Sequence, residues 1–196
     1  QWSYGINMDV LGCIVEVISG KTFADYLQTN IFDPLNLKSI GFSVKLNDKK
    51  SFTTLYTSGA FSRDGEIVAP SELNRSELMF SKDLRAIDKF DESPYLANSS
   101  KLFDGGSGLV SNIDDYSKFA EMLLNGGILN GVRILSKASV DLMSRNHVSD
   151  DILADGAAFG LNGVGFGLTV GTIMDAGIVG TYSSDGEFFW GGAAST

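Results

Sequence analysis

The residues most open to a chemical role stand near the two ends of the chain. Tyr4 comes just ahead of a helical pattern that starts at Asn7, a place from which a phenol can point into a cleft. A tyrosine there can relay protons once a neighbouring cation lowers its pKa from about 10. Near the other end, Trp190-Gly191-Gly192-Ala193 sets two glycines in a row within a late strand. Glycines at such a position weaken a strand unless some group must approach the backbone closely, and an open backbone can offer an amide N–H to an oxyanion. Set against these are a packed aromatic at Tyr4 and a β-bulge at the glycine pair.

Other motifs weigh towards structure. Ser19-Gly20-Lys21-Thr22 is similar to the end of a phosphate-binding loop, but the glycine such a loop needs at position 15 is Val15, and a helix precedes the motif where a strand is required. A helix stop and turn is the better reading. Gly163-Val164-Gly165-Phe166-Gly167 lacks dinucleotide spacing and is followed by strand-like residues, so close packing of a helix on a sheet accounts for its glycines. In Gly105-Gly106-Ser107-Gly108-Leu109 a nucleophile elbow would need glycine where Leu109 stands, which leaves Ser107 a loop residue. His147 follows a helix end with no marked Ser or Cys partner nearby in sequence, and Cys13 among apolar neighbours reads as a buried thiol. Asp150, Asp151 and Asp155 lack calcium-loop spacing and read as a solvated loop.

The elements that must position these residues follow from periodicity. Met8, Leu11, Ile14, Val15 and Ile18 mark one face of a helix over 7–19, with Asn7 able to cap its start and Gly20 its end. Thr22 opens a second helix whose face is Phe23, Tyr26, Leu27 and Ile31, and Pro34 stops it, so 1–42 forms a helical hairpin. Residues 43–104 show no sustained period and read mostly as loop. A helix follows Ser111-Asn112, with Ile113, Tyr116, Phe119, Ala120, Leu123 and Leu124 on one face up to Gly126-Gly127. Ser136 opens another, carrying Val140, Leu142 and Met143, so that 105–157 is helical in character. Over 158–196 the pattern changes to antiparallel strands, with LTVGTI, GIVGTY and EFFWGGAA separated by turn residues. The expected class is α+β, an antiparallel sheet with flanking helices in a single partial domain over 1–196.

Composition narrows the function classes. With 24 acidic against 15 basic residues the net charge is -9, and no Lys/Arg-dense block is present, so nucleic acid is not an expected partner. No window reaches the roughly 18 apolar residues of a membrane span. One cysteine and one histidine leave no disulfide and no multi-Cys or His-pair metal site, and no cofactor is expected. The apolar strand at the end of the sequence exposes an edge through which copies could self-associate.

Taken in order, WSYGINMDVLGCIVEVISGKTFADYLQTNIFDPLNLKSIGF, GGSGLVSNIDDYSKFAEMLLNGG, RILSKASVDLM and GEFFWGGAAST resemble the serine β-lactamase and penicillin-binding superfamily, particularly class C β-lactamases, DD-peptidases and family VIII esterases. The resemblance implies a β-lactamase/transpeptidase-like fold and an acyl-enzyme mechanism on a small ester or amide. Tyr4, in Tyr4-Gly5-Ile6, matches the family's proton-relaying tyrosine, and the missing third-position Asn leans towards the esterase-like branch. Trp190-Gly191-Gly192 matches the triplet lining the site, and Ala193 would then supply the oxyanion-hole N–H. The triplet's lysine is replaced, which favours a neutral substrate.

The family's nucleophile motif, Ser-x-x-Lys, is absent, because no serine stands three residues before any of the ten lysines. The resemblance therefore implies a central-to-C-terminal fragment, inactive alone, of a longer serine hydrolase. A noncatalytic relative binding a peptidoglycan or peptide partner is the first alternative, and a nucleotide-binding domain the second. A periplasmic or secreted location would follow from an upstream signal, and a cytoplasmic one otherwise.

Overall fold

Capping residues set most of the helix boundaries. The computed structural model describes residues 5–58, 84–88, 91, 103–154 and 162–192. Helix α1, Asn7–Ser19, begins after Ile6 without a side-chain cap, so Asn7 is its first residue rather than its cap. It stops at Gly20, whose left-handed φ of 69° lets its N–H reach the Glu16 carbonyl. Helix α2, Phe23–Leu27, is opened by Thr22, whose Oγ accepts from Asp25 N–H at 3.1 Å and donates to the Asp25 carboxylate at 2.7 Å. It runs on into a π-helical turn, Gln28–Phe32. In helix α3, Ile113–Leu124, the capping side chain is Asn112, which accepts from Asp115 N–H at 2.9 Å. Ser136 caps α4, Lys137–Met143, through Ser139 N–H.

The fold divides into two compact units, Ser43–Lys101 and the remainder of the chain. Within Ser43–Lys101, a short 3₁₀ turn at Leu46–Asp48 precedes strand β1, Leu55–Ser58, which pairs antiparallel with β2, Leu84–Asp88. A ladder thus occupies a stretch in which the sequence shows no period. Lys49 Nζ meets Asp91 at 2.6 Å, both side chains exposed, an ion pair of small energetic weight.

The larger unit is built around one apolar cluster. Phe32, Leu35, Leu37, Met122 and Leu129 are buried together, with Leu27, Ile31, Ile40, Phe119, Leu123 and Ile134 packed against them. The second half of the hairpin therefore closes on α3 and on the small ladder of β3, Ile128–Leu129, with β4, Val132–Arg133. The buried stripe of α3 is rotated from the one its periodicity suggested. Met122 is fully enclosed, whereas Ile113, Tyr116 and Leu124 are 74%, 59% and 85% exposed. Helix α1 departs further. Only Gly12 is buried on it, Leu11, Ile14 and Ile18 are exposed, and Cys13 is an exposed thiol rather than a buried one.

Beyond α4, Asp150–Ala154 forms helix α5 where a solvated loop was expected, its two leading aspartates matched to the positive end of the helix dipole. A three-stranded antiparallel sheet follows, in the order β5 (Val164–Phe166), β6 (Gly171–Ile173), β7 (Phe188–Phe189). Between β6 and β7 the GIVGTY stretch is not a strand. Asp175 caps Ile178 N–H at 3.0 Å and starts helix α6, Ala176–Val179. Helices and small antiparallel sheets make this an α+β chain. Among the described residues, no helix is long and apolar enough to cross a membrane.

Candidate functional site

The first turn of α1 is tied to the glycine-rich loop far along the chain. Gly106 N–H donates to Asp9 Oδ1 at 2.8 Å, and Gly105 lies so close to the Met8 carbonyl that a Cβ there would overlap it. Glycine at 105 is required by that approach. Gly12, the buried residue of α1, faces the same loop, with Gly105 N 3.5 Å from where its Cβ would stand. The loop is held from its other side as well. Gly41 and Val110 exchange backbone hydrogen bonds, and the Phe42 ring packs between those of Phe23 and Phe103 at centroid distances of 6.0 and 5.1 Å. Ser107 is exposed on the loop, as its motif implied. This arrangement fixes the backbone at Met8–Asp9, immediately downstream of the Tyr4 segment in sequence.

The second group of candidate residues sits at the β5–β7 sheet. Gly171 is the register partner of both Phe166 and Phe189, so the middle strand raises no side chain between the outer two. The Phe166 ring meets the ring of Trp190 edge to face, 5.7 Å between centroids and 78° between planes. Trp190 is 38% exposed, and Gly191 and Gly192 follow it on exposed backbone. Among the described residues, nothing lies within 4 Å of where a Cβ on Gly191 would be. The space beside that peptide is open, the property required for a substrate group to reach it.

Helix α4 and the loop after it hold this sheet from behind. A Cβ at Gly167 would overlap the Met143 carbonyl, and one at Gly165 would come within 2.7 Å of the Asn146 side chain. The alternating glycines thus serve helix-on-sheet packing, as their pattern implied. Asn146 Oδ1 accepts from both Phe166 N–H at 3.0 Å and Val148 N–H at 3.1 Å, and its amide donates to the Val148 carbonyl at 2.8 Å. His147 N–H donates to the Phe166 carbonyl at 2.8 Å, and its Nε2–H turns back to the Leu142 carbonyl at the same distance. The imidazole therefore finishes the end of α4, and its proton is engaged there.

Of the residues singled out in the sequence, Trp190, Gly191 and Gly192 are consecutive and exposed at the end of β7, while Tyr4 and Ala193 lie outside the described residues. Asp9 and Asn146 went unnoticed in the sequence. The one signal for Asp9 was an acidic residue in the first turn of α1. For Asn146 there was none, since its bond to Phe166 spans 20 residues. Asp115 was also missed. It is buried in α3, where its carboxylate accepts from Ser39 N–H at 2.7 Å and from Lys118 at 2.8 Å. Burial pushes that carboxyl up, but the hydrogen bond and charge of Lys118 with the Ser39 amide outweigh it and leave the pKa below the ordinary carboxylate value.

Comparison with known proteins adds to this geometry. The sequence profile of the family described as Beta-lactamase matches residues 1–196. Protein Rv1367c of Mycobacterium tuberculosis is 28% identical over 95% of this chain, which covers 43% of that protein. Acyltransferase mokF of Monascus pilosus is 26% identical over 73% of the chain and 29% of its own length. Among solved structures, EstCE1, a hydrolase with promiscuous acyltransferase activity, superposes with a TM-score of 0.64 at 24% identity, over 95% of this chain and 44% of its own. The chain spans less than half the length of each of these proteins.

Proposed function

Because the chain belongs to the beta-lactamase family, we propose that the complete gene product is a serine hydrolase that works through an acyl-enzyme on neutral esters or amides. The observation that carries this reading is the exposed Trp190-Gly191-Gly192 segment at the end of β7, with open space beside Gly191. In the proposed mechanism a serine of an upstream Ser-x-x-Lys motif attacks the substrate carbonyl. Tyr4 and that lysine take the hydroxyl proton and pass it to the leaving group. The Ala193 N–H, next to the open glycine backbone, stabilises the negative charge that develops on the carbonyl oxygen. Water then attacks the acyl-enzyme and the acid departs. Without the nucleophile these groups have nothing to transfer, so residues 1–196 alone are inactive in this reading.

A second reading replaces the water by an alcohol, making the product an acyl transferase. Two relatives favour it, since mokF is named an acyltransferase and EstCE1 is a hydrolase with promiscuous acyltransferase activity. The two readings share the acyl-enzyme and differ in what resolves it. Treatment of the complete gene product with a fluorophosphonate should leave one covalent adduct, and residues 1–196 expressed alone should take up none. No adduct on the complete protein, under conditions that label a control serine enzyme, rules out both readings. Product analysis of an ester in the presence of a simple alcohol then separates hydrolysis from transfer.

A further inference from the structure

We propose that Phe166 is a positioning residue for Trp190, and that together the two rings form the wall of a seat for an apolar acyl group longer than acetyl. For its orientation towards a reacting carbonyl the seat rests on the acyl-enzyme reading above.

Two features of the Phe166 backbone fix it in place. Its N–H is taken by Asn146 Oδ1 at 3.0 Å and its carbonyl by His147 N–H at 2.8 Å, so the residue cannot slide along the sheet without breaking both bonds. Gly165 before it is held against the Asn146 side chain, and Gly167 after it against the Met143 carbonyl. The ring projecting from this clamped backbone meets Trp190 edge to face. Gly171 stands opposite both Phe166 and Phe189, and Trp190 follows Phe189 just past the end of β7, where the ladder no longer fixes which face its side chain takes. The indole thus meets a ring whose backbone is held in place 24 positions earlier in the chain.

The chemistry presented at this end of the sheet fits an acyl chain. Trp190 is 38% exposed and Leu168, in the turn joining β5 to β6, is 44% exposed, while among the described residues the Gly191 peptide that follows Trp190 is open. Apolar walls with a few polar backbone groups are the usual composition of a small-molecule seat. No cationic side chain stands within Trp190-Gly191-Gly192, so the triplet offers a carboxylate no opposite charge, and the rings reward hydrocarbon in proportion to the apolar area covered.

The test labels the complete gene product with 5-fluorotryptophan and identifies the Trp190 signal by its loss in Trp190→Phe. Titration with 4-heptanone, which carries a butyryl group without a leaving group, should move that signal, and acetone should move it less. In Phe166→Leu, or in Phe166→Met should the first not fold, the apparent Kd for 4-heptanone should rise about three- to tenfold, as loss of one aromatic contact implies. Phe166→Tyr, which keeps the ring, should return it to within about twofold. The preference for p-nitrophenyl butyrate over the acetate should fall by the same factor. A Trp190 signal unmoved by Phe166→Leu, or equal losses on acetate and butyrate, overturns the proposal. Ketone binding that depends on Phe166 in a protein without ester turnover supports the seat while removing the hydrolase reading. Turnover whose chain-length preference ignores Phe166 removes the seat alone.

Discussion

The hairpin–α3 core and the β5–β7 sheet differ in how they treat their apolar residues. In the core Met122 and Leu37 are 0% and 2% exposed and a carboxylate is buried with its donors supplied, whereas the end of the sheet leaves Phe189 and Trp190 36% and 38% exposed just ahead of two glycines. The buried cluster of the first region is satisfied within itself, and the second presents half-exposed rings beside open backbone. The difference teaches where to look for function, because at the end of the sheet half-exposed rings adjoin backbone with free space beside it, a pairing of apolar surface and reachable N–H groups suited to a ligand.

The largest effect should come from the core. Met122→Ala empties a fully enclosed position and should lower unfolding free energy by about 2–5 kcal/mol in urea denaturation. A loss under ~1 kcal/mol would mean that the core relaxes freely and would erase the contrast. Gly105→Ala should come next, at about 1–3 kcal/mol, because the new methyl meets the Met8 carbonyl and backbone must move. Its control is Gly12→Ala on the other side of the same approach, where a methyl finds ordinary contact distances of 3.5–3.6 Å and α1 gains helix propensity. Equal losses for the two would show that the loop is not seated on α1 as described.

Asp115 sharpens the comparison through pH. Its folded pKa is lowered, so its contribution to stability is fully present above the unfolded carboxylate value of about 3.9 and is lost as pH falls through the folded value. Asp115→Asn should cost about 1–3 kcal/mol at pH 7, since the Ser39 amide and Lys118 lose a charged acceptor. It should also flatten the acid limb of the stability curve below pH ~4. Urea midpoints at pH 7 and pH 3 for both proteins decide this, and parallel acid limbs would count against it.

The same contrast governs what the sequence revealed. Several local signals carried through where their partners were local, though Asn7 did not cap α1. Gly20 stopped α1, and Thr22 and Ser136 opened their helices through donors three residues away. Long-range partners were invisible. The period of α3 allowed more than one buried stripe, and the choice fell to Asp115, whose carboxylate answers Ser39 across 76 residues. In GIVGTY the β-branched residues suggested a strand, but Asp175 at the cap, with Asp185 accepting from Ala176 N–H at 2.8 Å, bends the chain into helix first. At the sheet, glycine alternation announced packing without naming Asn146 and Met143 as the groups packed upon. For the candidate site, resemblance singled out the Trp190-Gly191-Gly192 motif, while the clamp on Phe166 lies in contacts that only the folded chain creates.

Gly191→Ala should have the smallest effect on stability and is the sharpest test of the sheet. Among the described residues no atom lies within 4 Å of the new methyl, and a change on exposed backbone of this kind should stay within about 0.5 kcal/mol of the parent. If that space is where a substrate carbonyl approaches the backbone, the methyl occupies it. Ester turnover by the complete gene product should then fall by at least ~10-fold in kcat/KM, equivalent to about 1.4 kcal/mol of lost transition-state binding. Met122→Ala should do the reverse, weakening the fold while leaving kcat/KM of the folded fraction within about twofold. Were Gly191→Ala to lower stability as a core change does, its glycine would be serving the fold, as in a β-bulge, and the division between the two regions would fail at the residue on which it most depends.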